Sequence, residues 1–313
     1  MMNEKMPKVS FLIATYNRIN FLIDCIDSIL SQSYKNLEVI VLDDCSTDST
    51  EKVIKEKCGD RVIYHKNDFN RGVAFTRNKA LTYASGEYIG LLDSDDILLT
   101  PSFLETALKI VESENADIFC CDNYRIDKKN QKIGNETFFQ VTIDHRNIKL
   151  SSGIKDFDYI FFHGTHSCGM LIRKGIIDKT GFLDTSYKIA WDEDLFLRIA
   201  ANPEFRIYYY NEPLAGYRIH GNNLSGNLSI AYREKIKCRK SIINKNKEIK
   251  KRLGFRINKR FASQYYCLAD GYKREGKILH SFFALIKLFF VYPNAVADFF
   301  KNRKNLALSL YEV

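Results

Sequence analysis

The chemistry in this sequence gathers at the end of one apolar run. Residues 87–92 (Glu87, Tyr88, Ile89, Gly90, Leu91, Leu92) read as a fully buried strand, and Asp93, Ser94, Asp95 and Asp96 follow directly. Three carboxylates within four residues repel one another unless water or a cation compensates them, and hard divalent ions prefer such oxygen ligands. Open α/β sheets bind ligands in the crevice beyond the C-terminal ends of their strands, so the stretch suits a metal and phosphate site. The same residues also suit a solvated turn before the helix start at Thr100-Pro101, and the motif alone does not choose between the two.

The surrounding elements must therefore place this turn. Residues 8–13 read as a first buried strand, ending in Ala14-Thr15-Tyr16-Asn17-Arg18. Leu22, Cys25, Ile26, Ile29 and Leu30 then keep the three-and-four spacing of a helix face, with Asn20 as its N-cap. Residues 37–42 form a second strand running into Asp43-Asp44-Cys45-Ser46-Thr47-Asp48, and Asp48 with Glu51 fits a capping pattern for a helix to about Lys57. A short strand is expected at 61–65, a break at Asn70-Arg71-Gly72, a helix carrying Arg77, Asn78 and Leu81, and then the strand at 87–92. Alternation of this kind is the pattern of a doubly wound, mainly parallel sheet. Beyond it the sequence predicts a helix from Pro101 to about Glu114, strands at 116–121 and 167–172, a hairpin and loops over 122–165, a helix over 192–201, and two last strands at 205–210 and 214–219.

Net charge divides the chain. The whole carries +9, but residues 228–313 hold 20 Lys and Arg against 6 Asp and Glu, a net of +14, leaving residues 1–227 at −5. We expect a mildly acidic catalytic domain (1–227) and a basic helical C-terminal region (228–313) whose partner is polyanionic. Residues 278–292 are mostly apolar but too short and too polar for a transmembrane span, and Lys273, Arg274, Lys277, Lys301, Arg303 and Lys304 flank them. This suits a helix lying in an anionic membrane interface, or one packed on the domain with a charged outer face. The eight cysteines show no CxxC pair and no zinc-type spacing, and no secretory signal pattern opens the sequence, so free thiols in a reducing cytoplasm are expected.

Ala14-Thr15-Tyr16-Asn17, the run from Gln32 to Asp48, Asn70-Arg71-Gly72 with Arg77-Asn78, and Asp93-Ser94-Asp95-Asp96 follow in order within the first hundred residues. Together they resemble the family 2 glycosyltransferases of GT-A fold. The resemblance implies inverting sugar transfer from a nucleotide-diphosphate sugar, with UDP the expected carrier and Mn²⁺ or Mg²⁺ the cofactor. It implies Asp95 as metal ligand, Asp93 near the ribose and the metal's waters, and Asp44 beside Asp43 at the base. It also implies Thr15, Tyr16, Asn17 and Ser94 around the nucleotide, with Arg77 beneath it. Cys45 stands where the family usually has Gly, so a positive φ there would be strained. Thr76 replaces a common Ala.

The resemblance extends to Trp191-Asp192-Glu193-Asp194, implying that one of Asp192, Glu193 and Asp194 removes the acceptor's hydroxyl proton; spacing back from Arg198 favours Asp192, while the Glu-Asp pair found in many members favours Glu193-Asp194. The acids could also serve only the helix dipole. In Tyr217-Arg218-Ile219-His220, His220 resembles the family's late metal- or diphosphate-reaching His. His163 and His166 could line the acceptor side or be ordinary loop residues. The expected acceptor is a hydroxyl of a growing surface glycan or a lipid-linked sugar, at the inner face of the cell membrane. A nucleic-acid binder using the basic region, or a silent sugar-nucleotide binder, are the rivals. No compact RNA-binding motif is present, so no nucleic acid partner is expected.

Overall fold

The computed structural model describes residues 6–143, 151–164 and 166–294. Thr165 and the basic residues Lys301, Arg303 and Lys304 lie outside the described residues.

Strands β1 (Val9–Thr15), β2 (Leu37–Asp43), β3 (Ile63–Lys66) and β4 (Tyr88–Leu91) pair in parallel in the order β3-β2-β1-β4. Helices α1 (Ile19–Leu30), α2 (Thr50–Lys57) and α3 (Val73–Leu81) connect them. Strand β1 is buried on both sides: Val9, Phe11 and Ile13 join one apolar cluster with α1, while Leu12 joins the other, as a doubly covered parallel strand requires. Phe11 lies across from Gly90 in β4, where an added Cβ would stand 2.6 Å from the Phe11 ring, so only glycine lets the two strands pair there.

After β5 (Ile97–Leu98) and α4 (Phe103–Ser113), the sheet continues through β9 (Met170–Arg173), which lies antiparallel between β4 and β6 (Ile118–Ile126). Strand β10 (Ile207–Arg218) runs parallel to β6 and antiparallel to β5. The expected hairpin is β6 with β7 (Lys132–Thr137); α5 (Phe138–Ile143), β8 (Gly153–Lys155) and α6 (Phe157–His163) follow. Helices α7 (Lys174–Thr180) and α8 (Trp191–Ala200) lead to β10.

Several boundaries differ from the sequence reading. The two last strands are one strand, because the register shift between Tyr210 and Ala215 is a bulge around Pro213, which has no N–H to lose and so bends the strand without ending it. Helix α1 begins at Ile19 with Arg18, not Asn20, at the N-cap and no side-chain cap bond. Asp48 does bond at the start of α2, accepting from Thr50 N (3.0 Å) and Oγ1 (2.6 Å), but Ser49 holds the N-cap position. Residues 59–61 form a 3₁₀ turn, so β3 starts at Ile63.

From α9 (Leu228–Lys245) through α10 (Lys247–Leu253), α11 (Arg256–Arg274) and α12 (Ile278–Val291) the chain is helical. Ile236, Ile243, Phe261, Tyr265 and Leu268 are buried in the same apolar cluster as Ile89 and Leu91 of β4, so α9 and α11 complete the core on that face of the sheet. All eight cysteines are free thiols.

Candidate active site

The loops after β1, β2 and β4 meet at one edge of the sheet, and each is tied to its neighbours by the residues that made it recognisable. Asn17, at φ 52°, accepts the Thr47 N–H on Oδ1 (2.8 Å) and donates its own N–H to Ser46 Oγ (2.8 Å), clamping the β1 loop to the β2 loop. Asp43 accepts from Ser46 N and from the Tyr64 hydroxyl, both at 2.7 Å. Asp44 accepts from Asn67 Nδ2 and Arg71 N on one oxygen (2.9 Å each) and from Gly72 N on the other (2.8 Å). Its carboxylate thus ties the 67–72 loop to the β2 loop. Cys45 does adopt φ 68°, the left-handed conformation that a side chain rarely takes. Thr76 is buried and accepts from Asn67 Nδ2 (3.2 Å), a bond that alanine could not make. Thr15 is buried beside this loop and Tyr16 is exposed.

The Asp93–Asp96 turn is surrounded by cations. Arg77, fully buried on α3, donates from Nη2 to Asp93 Oδ1 (2.7 Å) and to Leu92 O (3.1 Å), while its Nε and Nη1 have no hydrogen-bond partner among the described residues. A buried guanidinium with free N–H groups calls for an anion. Asp95 Oδ2 takes Arg18 Nη1 at 2.5 Å and His220 Nε2 at 2.8 Å. His220 Nδ1 accepts the Asn222 N–H (3.2 Å), which leaves Nε2 as the protonated nitrogen that donates to Asp95. Ser94 is buried within the turn. Asp96 accepts the Arg218 N–H (2.9 Å), and burial, then the charges of Asp95 and Asp93, push its carboxyl well above the usual range. Arg218, fully buried at the end of β10, bonds Asp95 O through Nε (2.5 Å). Tyr16, Asn17, Arg18, Lys128 and His220 line a cavity of about 650 Å³ beside the turn.

Across from the turn lies the start of α8. Glu234 of α9 accepts the N–H groups of Lys188, Ile189 and Ala190 (2.8–3.1 Å), fixing the approach to this helix. The three acids that follow have different surroundings. Glu193 is ion-paired with the fully buried Arg239 and lies 3.6 Å from Lys235 Nζ. Asp194 pairs with Arg198 Nε at 2.7 Å, one turn along the helix. Among the described residues Asp192 has only the Ser167 hydroxyl (3.3 Å) and the Glu193 N–H (2.8 Å) as hydrogen-bond partners. Burial pushes Asp192 up to about 6; Lys235 pulls it down, Asp93 pushes it up, and Ser167 and Arg77 pull it down. The Trp191 ring carries the Arg77 guanidinium 4.6 Å from its centroid, linking the two sides of the cleft.

The profile of Glycosyl transferase family 2 matches residues 10–181, the segment holding the β1, β2 and β4 loops. The chain belongs to glycosyltransferase family 2. Among similar proteins, an uncharacterized glycosyltransferase of Rickettsia typhi, RT0329, is 33% identical over 224 residues, covering 70% of this chain and 66% of that protein. The Escherichia coli UDP-Glc:alpha-D-GlcNAc-diphosphoundecaprenol beta-1,3-glucosyltransferase WfaP is 30% identical over 281 residues, covering 88% and 97%. Among solved structures, Staphylococcus aureus TarS 1-349 superposes with a TM-score of 0.60 at 18% identity, covering 95% of this chain and 92% of that one. PcManGT, a mannosyltransferase from Pyrobaculum calidifontis solved with GDP-Man and Mn²⁺, gives 0.52 at 17% identity over 93% and 75%. These likenesses show the expected mixed α/β GT-A fold.

In this glycosyltransferase no group of three His, Cys, Asp or Glu side chains among the described residues converges at metal-ligand spacing. Asp95 Oδ1 and Asp93 Oδ2 accept no hydrogen bond among the described residues, and His220 adjoins Asp95. Such a set fits a hard ion that takes one or two carboxylates from the protein and its remaining ligands from substrate phosphates and water.

Arg18, Arg218 and Lys235 were not singled out by the sequence reading. The first two stood inside quoted motifs, next to Asn17 and two residues before His220, so adjacency was the available signal. Lys235 had none, because only the packing of α9 on α8 brings it here. His166 lies among Phe138 and Tyr217, and burial pushes it down to about 4, so it is neutral at pH 7. His163 ends α6 with its ring against Tyr159.

Proposed function

We propose that this enzyme transfers a sugar, with inversion, from a UDP-sugar to a hydroxyl of a growing surface glycan or lipid-linked acceptor, using Mn²⁺ or Mg²⁺, peripherally at the inner face of the cell membrane. The observation that carries the reading is Asp192: of three adjacent acids it alone has no Arg or Lys ion pair among the described residues, and it lies within reach of the charges of Asp93 and Arg77. The donor and acceptor of WfaP, as its name gives them, support UDP as the carrier and a lipid-linked acceptor.

Asp192 takes the acceptor hydroxyl proton as the acceptor oxygen bonds to the anomeric carbon. The bond from that carbon to the diphosphate breaks on the opposite face, and the electron pair leaves with UDP. Arg77 places its free N–H groups at the diphosphate, and Asp93 lies at the ribose. Thr15, Tyr16, Asn17 and Ser94 frame the nucleotide, while Asp43 and Asp44 hold the loops that close over it. Asp95 with Asp93 would hold the metal, and His220 would join them only with its Nε2 released from the Asp95 bond; when bound, the metal supplies charge neutralisation for the departing diphosphate.

Asp192→Asn tests the assignment. Transfer should fall by about 10²–10⁴-fold while UDP still raises the melting temperature as it does for the wild type. An Asp192→Asn enzyme that transfers at the wild-type rate would sink it, and retention of the donor's anomeric configuration, read by NMR of the product, would sink the inverting step.

A further inference from the structure

Helix α12 is apolar on two sides. Its sequence from Ile278 to Val291 buries Ala284 and Leu288, with Leu285 and Val291 partly packed against the core. The opposite side carries Ile278 (64% exposed), Leu279 (72%), Phe282 (57%), Phe283 (58%), Phe289 (38%) and Phe290 (83%). At 3.6 residues per turn these six fall within an arc of about 140°, so they form one face. Taking about 200 Å² for a whole Phe, the four phenylalanines alone leave on the order of 500 Å² of aromatic surface open, at the upper end of what a monomer's largest patch shows. A helix that is apolar all round is normally covered on all sides.

The charge around this face says what covers it. Lys287 borders the arc, and Lys273, Arg274 and Lys277 stand at the turn between α11 and α12, all exposed. Arg274 and Lys277 are partly offset by Asp270 and Glu275, but residues 228–313 as a whole carry +14. Two copies meeting here would bring two such regions together, whereas an anionic bilayer neutralises them. At 14 residues the helix is about 21 Å long, short of the roughly 30 Å hydrocarbon core, and among the described residues no helix is long and apolar enough to cross a membrane.

We propose that α12 docks this glycosyltransferase onto an anionic membrane, lying in the interfacial plane with Ile278, Leu279, Phe282, Phe283, Phe289 and Phe290 in the headgroup boundary and the lysines over anionic lipid. The proposal rests on the membrane-surface reading above and names the surface that serves it. Phenylalanine inserts its ring at that depth while Lys287 reaches out to phosphate, a division of labour that a helix packed in a protein core would not need.

Because α9 and α11 supply core residues, the test uses the full chain with point substitutions. The wild type should float with phosphatidylcholine vesicles containing phosphatidylglycerol and much less with pure phosphatidylcholine. Phe282→Glu with Phe290→Glu should lower that partitioning by about tenfold or more, with unchanged circular dichroism and unchanged transfer to a short water-soluble acceptor. A variant that floats as well as the wild type overturns the proposal, as does a wild type that floats on neither vesicle or equally on both. It is also overturned if the wild type is a dimer that the substitutions dissociate while flotation stays the same. Loss of flotation with soluble-acceptor transfer intact supports the docking face, while flotation without any transfer by the wild type counts against the proposed reaction and leaves the docking face standing.

Discussion

The Asp93–Asp96 turn and the start of α8 both crowd three carboxylates together, yet their surroundings use them differently. At the turn the side-chain partners of Asp93 and Asp95 are all cations or a histidine donor: Arg77 on Asp93, Arg18 and His220 on Asp95. The backbone of Arg218 fixes Asp96 and its guanidinium fixes the carbonyl of Asp95. Such surroundings suit the turn to phosphate and metal. At α8 the acids are sorted instead. Arg239 takes Glu193, Arg198 takes Asp194, and Asp192 is left with a hydroxyl and a backbone N–H, so burial raises it toward 6. The contrast teaches that the count of acids says little: a carboxylate surrounded by cations binds charge, and one stripped of them can move a proton.

The sharpest way to break the comparison is Asp95→Asn. If the turn serves charge, removing this carboxylate should lower metal-dependent turnover by about 10³-fold or more, since the site would lose several kcal/mol of stabilisation for the leaving group. Mn²⁺ titration with UDP present should show the loss of binding directly, with the circular dichroism spectrum unchanged. Full activity in Asp95→Asn would mean that the turn is structural. On the α8 side the largest effect should fall on stability. Arg239→Met leaves Glu193 buried with Lys235 at 3.6 Å and the weak Cys238 thiol donor at 4.0 Å, and breaking such a buried pair costs about 3–5 kcal/mol, to be read from urea denaturation. A loss under about 1 kcal/mol, the value of an exposed pair, would show that Glu193 is not held as described.

How far each side could be read beforehand follows the same division. The turn was legible because local signals fixed it: apolar runs ended in Asp43-Asp44 and Asp93-x-Asp95, and parallel strands deliver such ends to one edge. Even there Asp44 spends both oxygens on Asn67, Arg71 and Gly72, partners 23 to 28 residues away that no pattern in the sequence announces. The α8 acids were legible only as a group. What separates them is Arg198, one turn on from Asp194, together with α9, whose Lys235 and Arg239 reach Glu193 from more than 40 residues on. Strand β10 read as two because Pro213 marks a break in sequence and makes a bulge in the sheet. The orientation of α12 was not legible, since both its faces are apolar and periodicity cannot say which one the core takes.

The smallest and most discriminating effect is on pH dependence. If Asp192 is the base, it acts only when ionised, so with its carboxyl pushed up to about 6 the acid limb of kcat/KM should rise through about pH 6 and level off above it. Four groups set that value besides burial: Lys235 from α9, Asp93 from the turn, Ser167 before β9 and Arg77 from α3. Lys235 is the strongest of them and lowers the pKa, because its ammonium favours the carboxylate. It is itself pushed down by burial while Asp192 pulls it up. Lys235→Met removes a cation, so the Asp192 carboxyl should hold its proton to higher pH and the limb should move up by roughly a unit, about 1.4 kcal/mol. Lys235→Arg, which keeps the charge, should leave the limb near its wild-type position. A Lys235→Met enzyme that loses rate equally at every pH would instead mean that Lys235 only braces Glu193, and that Asp192 was set apart by burial alone.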